Sequence, residues 1–257
     1  MSLPDVEEAA VKVLGAAVDM RDAARITLDQ GWHLLGVPES EGGMGGTLAD
    51  VAGVVRAISA AGLSSPLPEL HAPVVLAVAN RVVVPWGDGE ENIAGEPYAV
   101  LASGSPSTGA TLTRWRILHA ARLVGGCQGA ASRTAAYAAT RAQFGRPIAR
   151  FQAVSALVAE AHAQSVLAAA GLEAALADPG NDFVAIAALA TASRAGGVVA
   201  RVAHQVHGAI GITRELGLER LTRRLWAWRD LPGEAELEPL LGLLGEQRAW
   251  TLGAGDE

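Results

Sequence analysis

Ala139-Thr140-Arg141-Ala142-Gln143-Phe144-Gly145-Arg146-Pro147-Ile148-Ala149-Arg150-Phe151-Gln152-Ala153-Val154 is the stretch on which the reading of this chain turns. It ends one helical pattern, bends at Gly145-Arg146-Pro147 and opens a second amphipathic run, leaving Arg141 and Phe144 at the bend. Glycine supplies the conformational freedom a tight bend needs, and proline presets the backbone for the next element. Two long helices joined by so short a connection are antiparallel neighbours, so the stretch predicts a helical bundle.

Working outward, residues 115–140 read as one helix and 149–177 as the next. In the second, Phe151, Val154, Val158, Ala161, Ser165, Ala169, Leu172 and Leu176 recur every three or four positions. Asp178-Pro179-Gly180-Asn181 stops it, Asp182 is placed to cap a helix over 183–206, and shorter helices follow at about 215–228 and 235–249. Upstream, residues 5–30 have helical spacing with acids early, 39–46 form a glycine-rich loop, Thr47 can cap a helix running to about 61, and 71–80 read as a short apolar helix. Val82-Val83-Val84 and Tyr98-Ala99-Val100-Leu101 are the strand candidates, enough for one hairpin. The predicted fold is therefore mainly α. It divides into an N-terminal helical region over 1–80, a β-hairpin linker over 81–114, and an antiparallel four-helix bundle over 115–257.

Composition narrows the partners. Half of the 257 residues are hydrophobic, enough for a large core, and the net charge of −7 repels phosphate backbones, so no nucleic acid partner is expected. Cys127 is the single cysteine, which rules out an internal disulfide and suits a cytoplasmic setting. The N-terminus is acidic rather than basic, and no uncharged apolar run reaches spanning length, so neither export nor a membrane is expected. Taken alone, Arg141 and Arg146 suit solvated turn positions, Phe144 a core plug, and 205–211 a helix end with glycine stops.

Three ordered stretches together resemble the acyl-CoA dehydrogenase family. They are Gly31-Trp32-His33-Leu34-Leu35-Gly36-Val37-Pro38 with the glycine-rich loop after it, residues 139–163, and Gln205-Val206-His207-Gly208-Ala209-Ile210-Gly211, where Ala209 replaces a glycine of the family pattern. The resemblance implies FAD as cofactor and α,β-desaturation of an acyl-CoA thioester. It implies that Arg141 and Phe144 reach the flavin of a neighbouring subunit, where a guanidinium suits pyrophosphate oxygens and a ring covers flat aromatic surface. Gln205, Gly208 and Gly211 would approach the same cofactor, and a homodimer or larger oligomer follows.

Two departures from the family bear on activity. Its middle β-domain is reduced here to about a hairpin. Its proton-abstracting glutamate, placed by anchoring on Leu221 and Arg223, falls on Pro232, with Glu234 at the following threonine position. Proline takes no proton. In other members the glutamate lies earlier, and counting back from Gly125-Gly126 reaches His119. The candidate bases are accordingly His119, Asp230 and Glu234. Glu160 matches an acid that makes a structural contact, and Gly125-Gly126-Cys127-Gln128-Gly129 reads as close helix packing rather than a nucleotide loop. His204 and His207 lack a third ligand for zinc. The ending Leu221-Thr222-Arg223-Arg224-Leu225-Trp226 is similar to a bacterial branch in which a full-length subunit pairs with a reduced homologue in an α2β2 enzyme. That branch includes enzymes acting on steroid side-chain thioesters. The alternative is a helical partner subunit that is catalytically inactive and no longer binds flavin.

Overall fold

A computed structural model describes residues 3–78 and 81–231. The N-terminal pattern folds as two helices, α1 (Leu3–Leu14) and α2 (Met20–Asp29), rather than the single one expected over 5–30. The break follows Gly15, and Asp19 starts α2 by accepting the Asp22 backbone N–H at 2.8 Å. Helix α3 (Leu48–Ala60) opens on a full capping box in which Thr47 and Asp50 satisfy each other's backbone, as Thr47 foretold.

The apolar run after Leu70 is not the helix expected over 71–80. A single turn, α4 (Leu67–His71), ends before Pro73, and strand β1 (Leu76–Val78) follows. Pro73 ends helical backbone at the residue before it. Strand β1 adds to the expected hairpin, so β2 (Arg81–Glu91) is central in an antiparallel sheet of order β1-β2-β3 with β3 (Pro97–Leu101). The β2/β3 register shifts between Pro85 and Glu90, and Trp86 lies in the shift with a left-handed φ of 59°.

Helix α5 (Gly109–Thr140) is the spine, packing against α3, α6 (Gln152–Ala177), α7 (Asp182–His207) and α8 (Leu218–Asp230). Its contact with α3 is close because Gly125 and Gly129 lie directly against the backbone carbonyls of Arg56 and Ala60, where a β-carbon would collide. The glycine cluster is thus a packing device. Asn181, not Asp182, caps α7, accepting from the Val184 N–H at 3.3 Å. Asp182 is occupied by Arg116 at 2.5 Å and by the Thr113 hydroxyl at 2.8 Å, tying α7 to α5. By length and composition α6 and α7 could each cross a membrane; α7 is packed among its neighbours, whereas most of α6 lies at the surface. The helix expected over 235–249 lies outside the described residues.

Candidate functional site

The bend that follows α5 is a miniature hairpin, β4 (Ala142–Gln143) against β5 (Arg146–Pro147), with Phe144 and Gly145 at its tip. Both tip residues have positive φ, 52° for Phe144 and 78° for Gly145. Left-handed backbone is uncommon for an aromatic residue. Phe144 is 91% exposed, so it is not the core plug its hydrophobicity alone would suggest. Its ring meets Phe151 edge-on at 6.1 Å, and the Arg146 guanidinium covers Phe151 at 4.2 Å. Arg141 is the exposed residue closing α5, its N–H bonded to the Tyr137 carbonyl at 2.8 Å.

One turn back, Tyr137 stacks on His207 with ring centroids 4.2 Å apart. That contact joins the end of α5 to the end of α7 and brings the second glycine segment to the same end of the bundle. Gln205 is exposed there, and Gly208 ends α7 with a φ of 64° that only glycine adopts with ease. Gly211 is buried, and a β-carbon on it would meet that of His207 at 2.8 Å. Of the histidines, His204 pairs with the Thr222 hydroxyl at 2.8 Å, and His207 Nδ1 lies 2.8 Å from the Ala203 carbonyl. Among the described residues no cluster suited to a metal ion is found. Glu160 ties α6 to α7 through Arg201 at 2.9 Å, a structural contact.

The candidate bases fare differently. His119 is fully buried and both ring nitrogens are committed: Nε2 lies 2.8 Å from the Trp228 carbonyl and Nδ1 3.3 Å from the Arg122 guanidinium. Its ring stacks on Trp115 at 4.5 Å. Burial, then the Arg122 charge, pushes its pKa down to about 3, against the Trp228 hydrogen bond. A neutral imidazole with both ring nitrogens engaged and no exposed surface packs in this chain's core. Asp230 is exposed at the end of α8 and paired with Arg229 at 2.6 Å. It borders a cavity of about 340 Å³ between the sheet and the bundle, together with Trp86, Glu96, Tyr98, Arg122 and Leu231. Pro232 and Glu234 lie outside the described residues. Cys127 is buried with its thiol pushed up to about 12 by desolvation, which leaves no thiolate to act.

Around His119 runs a charged network that sequence patterns did not announce. Arg122 is 2% exposed and reaches Glu69 at 2.7 Å and the Ser65 carbonyl at 3.0 Å, and Trp115 Nε1 donates to the same Glu69 at 3.2 Å. Trp228 Nε1 donates to both oxygens of buried Glu96 at 2.9 Å, and the Ser64 hydroxyl donates to it at 2.5 Å. The space between α4, α5 and α8 is thereby filled by tryptophan, guanidinium and carboxylate. One signal was available: Arg116, His119 and Arg122 stand at i, i+3 and i+6, a polar stripe on an otherwise apolar helix.

An α-helical bundle with a small antiparallel sheet, whose outward aromatic-and-guanidinium turn shares one end with a glycine-ended helix, defines the class. Residues 102–238, more than half of the chain, match the C-terminal domain of acyl-CoA dehydrogenases, and the chain belongs to that family. It is 27% identical over 249 residues to the acyl-CoA dehydrogenase IpdE2 of Mycolicibacterium smegmatis, covering 77% of this chain and 78% of that protein. It is 38% identical over 112 residues to 3-sulfinopropanoyl-CoA desulfinase of Paraburkholderia xenovorans, covering 42% of this chain but only 29% of the desulfinase. Among solved structures, the ChsE4-ChsE5 complex from Mycobacterium tuberculosis superposes with a TM-score of 0.76 at 17% identity, covering 96% of this chain and 98% of that one. A variant of the Tcur3481-Tcur3483 steroid ACAD gives 0.77 at 18% identity, covering 95% and 98%.

Proposed function

We propose that this chain is the reduced subunit of a heteromeric, FAD-linked acyl-CoA dehydrogenase. It presents Arg141 and Phe144 to a flavin held largely by a full-length homologue, in which the acyl-CoA thioester is desaturated. The observation that carries this is the bend itself: Phe144 is 91% exposed on left-handed backbone, and within this chain its ring meets only the edge of Phe151, leaving its faces open. The donor set suits the cofactor. A guanidinium matches pyrophosphate oxygens, a free ring matches flat aromatic surface, and Gln205 with Gly208 adds an amide and bare backbone at the same end. When bound, FAD supplies the hydride acceptor; this chain's residues would hold its phosphates and shield its surface.

The closed environment of His119 supports placing the proton-abstracting base in the partner. The sheet is too small to replace a covering domain, which supports the same division of labour. Two of the solved neighbours carry paired names, one of them called a complex. The outer face of α6, with Ala156, Ala163, Val166, Leu167 and Ala170 exposed and uncharged, gives a partner helix a surface to pack on. In this reading 1–80 and 81–114 brace the bundle, and 115–257 carries the shared face.

The test is co-expression with a full-length acyl-CoA dehydrogenase homologue, followed by the flavin absorption spectrum. The assembly should be yellow and the isolated chain nearly colourless. Arg141→Ala should weaken flavin retention by roughly 10- to 100-fold, the loss of a charge-assisted hydrogen bond. A fully flavin-loaded isolated chain that bleaches with acyl-CoA would refute the division of labour. Unchanged loading in Arg141→Ala would favour the inactive helical partner subunit instead.

A further inference from the structure

We infer that the cleft between the α1–α2 junction, the tip of the β2–β3 loop and the first two turns of α8 binds the phosphate groups of a nucleotide. The cleft has a volume of about 390 Å³, and Arg214, Arg220, Arg223 and Arg224 line it against only Asp19 and Glu219. In a chain of net charge −7, four guanidiniums facing one cleft reverse the general field.

Neither carboxylate neutralises them closely. Asp19 is engaged as the cap of α2. Glu219 stands 3.9 Å from Arg220, and its other oxygen has no hydrogen-bond partner. Arg223 donates to the Ile93 carbonyl at 2.5 Å, which fixes its position without cancelling its charge. Arg224 is 8% exposed and donates to the Gly62 carbonyl, while its Nε, 3.9 Å from Glu96, has no hydrogen-bond partner. Among the described residues Arg214 makes no ion pair. Burial lowers the Arg224 pKa; Glu96 opposes this, and Arg220 and Arg223 add to the lowering, so these cations repel one another. An anion relieves that repulsion.

Phosphate is the anion that fits. Its oxygens match the planar fork of each guanidinium, and the volume accepts the diphosphate end of a nucleotide rather than a whole dinucleotide. Coenzyme A and flavin both carry such an end. The cleft does not include the Arg141 bend, although Arg214 and Arg223 also line the neighbouring cavity with Gln205. The site stands whether or not the subunit reading holds, because Arg220, which lines this cleft and not that cavity, carries its test.

Calorimetric titration with 3′,5′-ADP, 5′-ADP and inorganic phosphate tests it. Arg220→Gln/Arg223→Gln should weaken nucleotide binding at least about tenfold, and Arg220→Gln alone about threefold, as charge-assisted bonds are lost. Arg150→Gln, an exposed residue elsewhere, should change nothing. Circular dichroism verifies that each variant is folded. Tighter binding of 3′,5′-ADP assigns the coenzyme A end, and tighter binding of 5′-ADP assigns the flavin end. Absence of binding by either nucleotide, equal affinity in the folded double variant, or inorganic phosphate binding as tightly as the nucleotides would overturn the inference.

Discussion

Replacing His119 with Gln separates a packing histidine from a catalytic one, because the two roles predict opposite changes in stability and turnover. The imidazole is fully buried and its pKa is pushed from 6.5 down to about 3. Above pH 6.5 the ring is neutral in both folded and unfolded chains, so its contribution to stability is fully present. Between pH 6.5 and about 3 the unfolded chain takes up a proton that the folded chain refuses, and stability falls with acid by up to about 1.4 kcal/mol per pH unit. From pH 7 to pH 5 this amounts to about 2 kcal/mol. Gln cannot titrate, so His119→Gln should remove that increment. At pH 7 it should cost roughly 1–2 kcal/mol for the lost stack on Trp115 and the altered bond to the Trp228 carbonyl. His71, lowered to about 4 by burial and then by the Arg114 charge, is present in both proteins and cancels from the difference. Urea titrations at pH 7 and pH 5 on both proteins measure the increment. Turnover of the heteromeric assembly proposed above, measured alongside, should stay within a few fold. A folded variant with the wild-type response to pH, or one that keeps its stability but loses turnover by a hundredfold or more, would refute the reasoning.

Two further outcomes follow from the packing. Arg122→Met leaves Glu69 buried without its cation and should cost about 3–5 kcal/mol, or about 6–20 °C in Tm; adding Glu69→Gln should recover more than half, with Trp115 keeping an acceptor. Gly129→Ala drives a β-carbon into the Ala60 carbonyl and should cost at least about 1–3 kcal/mol in denaturant titration, whereas Gly180→Ala, with nothing near it, should be silent.

The long helices were legible because their apolar positions repeat every three or four residues, and α5 through α8 follow the predicted order. The misread places are those where a single local residue outweighs periodicity. Gly15 and Asp19 divide what spacing alone makes one helix, and Pro73 turns an apolar run from helix to strand. Asp182 was read as a cap because caps are local, whereas its partner Arg116 lies 66 positions away. The same limit hid the charged network. Glu69 and Glu96 look like loop acids until α5 and α8 are packed beside them. The bend at 141–147 was legible as a turn, but the outward posture of Phe144 depends on φ, which sequence does not print.

Those buried charges also explain how so small a sheet keeps its place. Three strands carry little core of their own, and a free hairpin is marginal in water. Here Glu96, set in the β2–β3 loop by the Asn92 side chain that accepts its backbone N–H at 3.2 Å, is gripped by Trp228 and Ser64. The sheet is therefore anchored by a carboxylate in the bundle rather than by sheet-to-helix apolar area alone. That carboxylate takes its donors from Trp228 on α8 and Ser64, and His119 and Arg122 on α5 support the tryptophan, His119 at its carbonyl and Arg122 over its ring. That packing leaves His119 fully buried. The fold thus holds a small sheet through a buried carboxylate while the Phe144 bend at the C-terminal end of α5 stays outward.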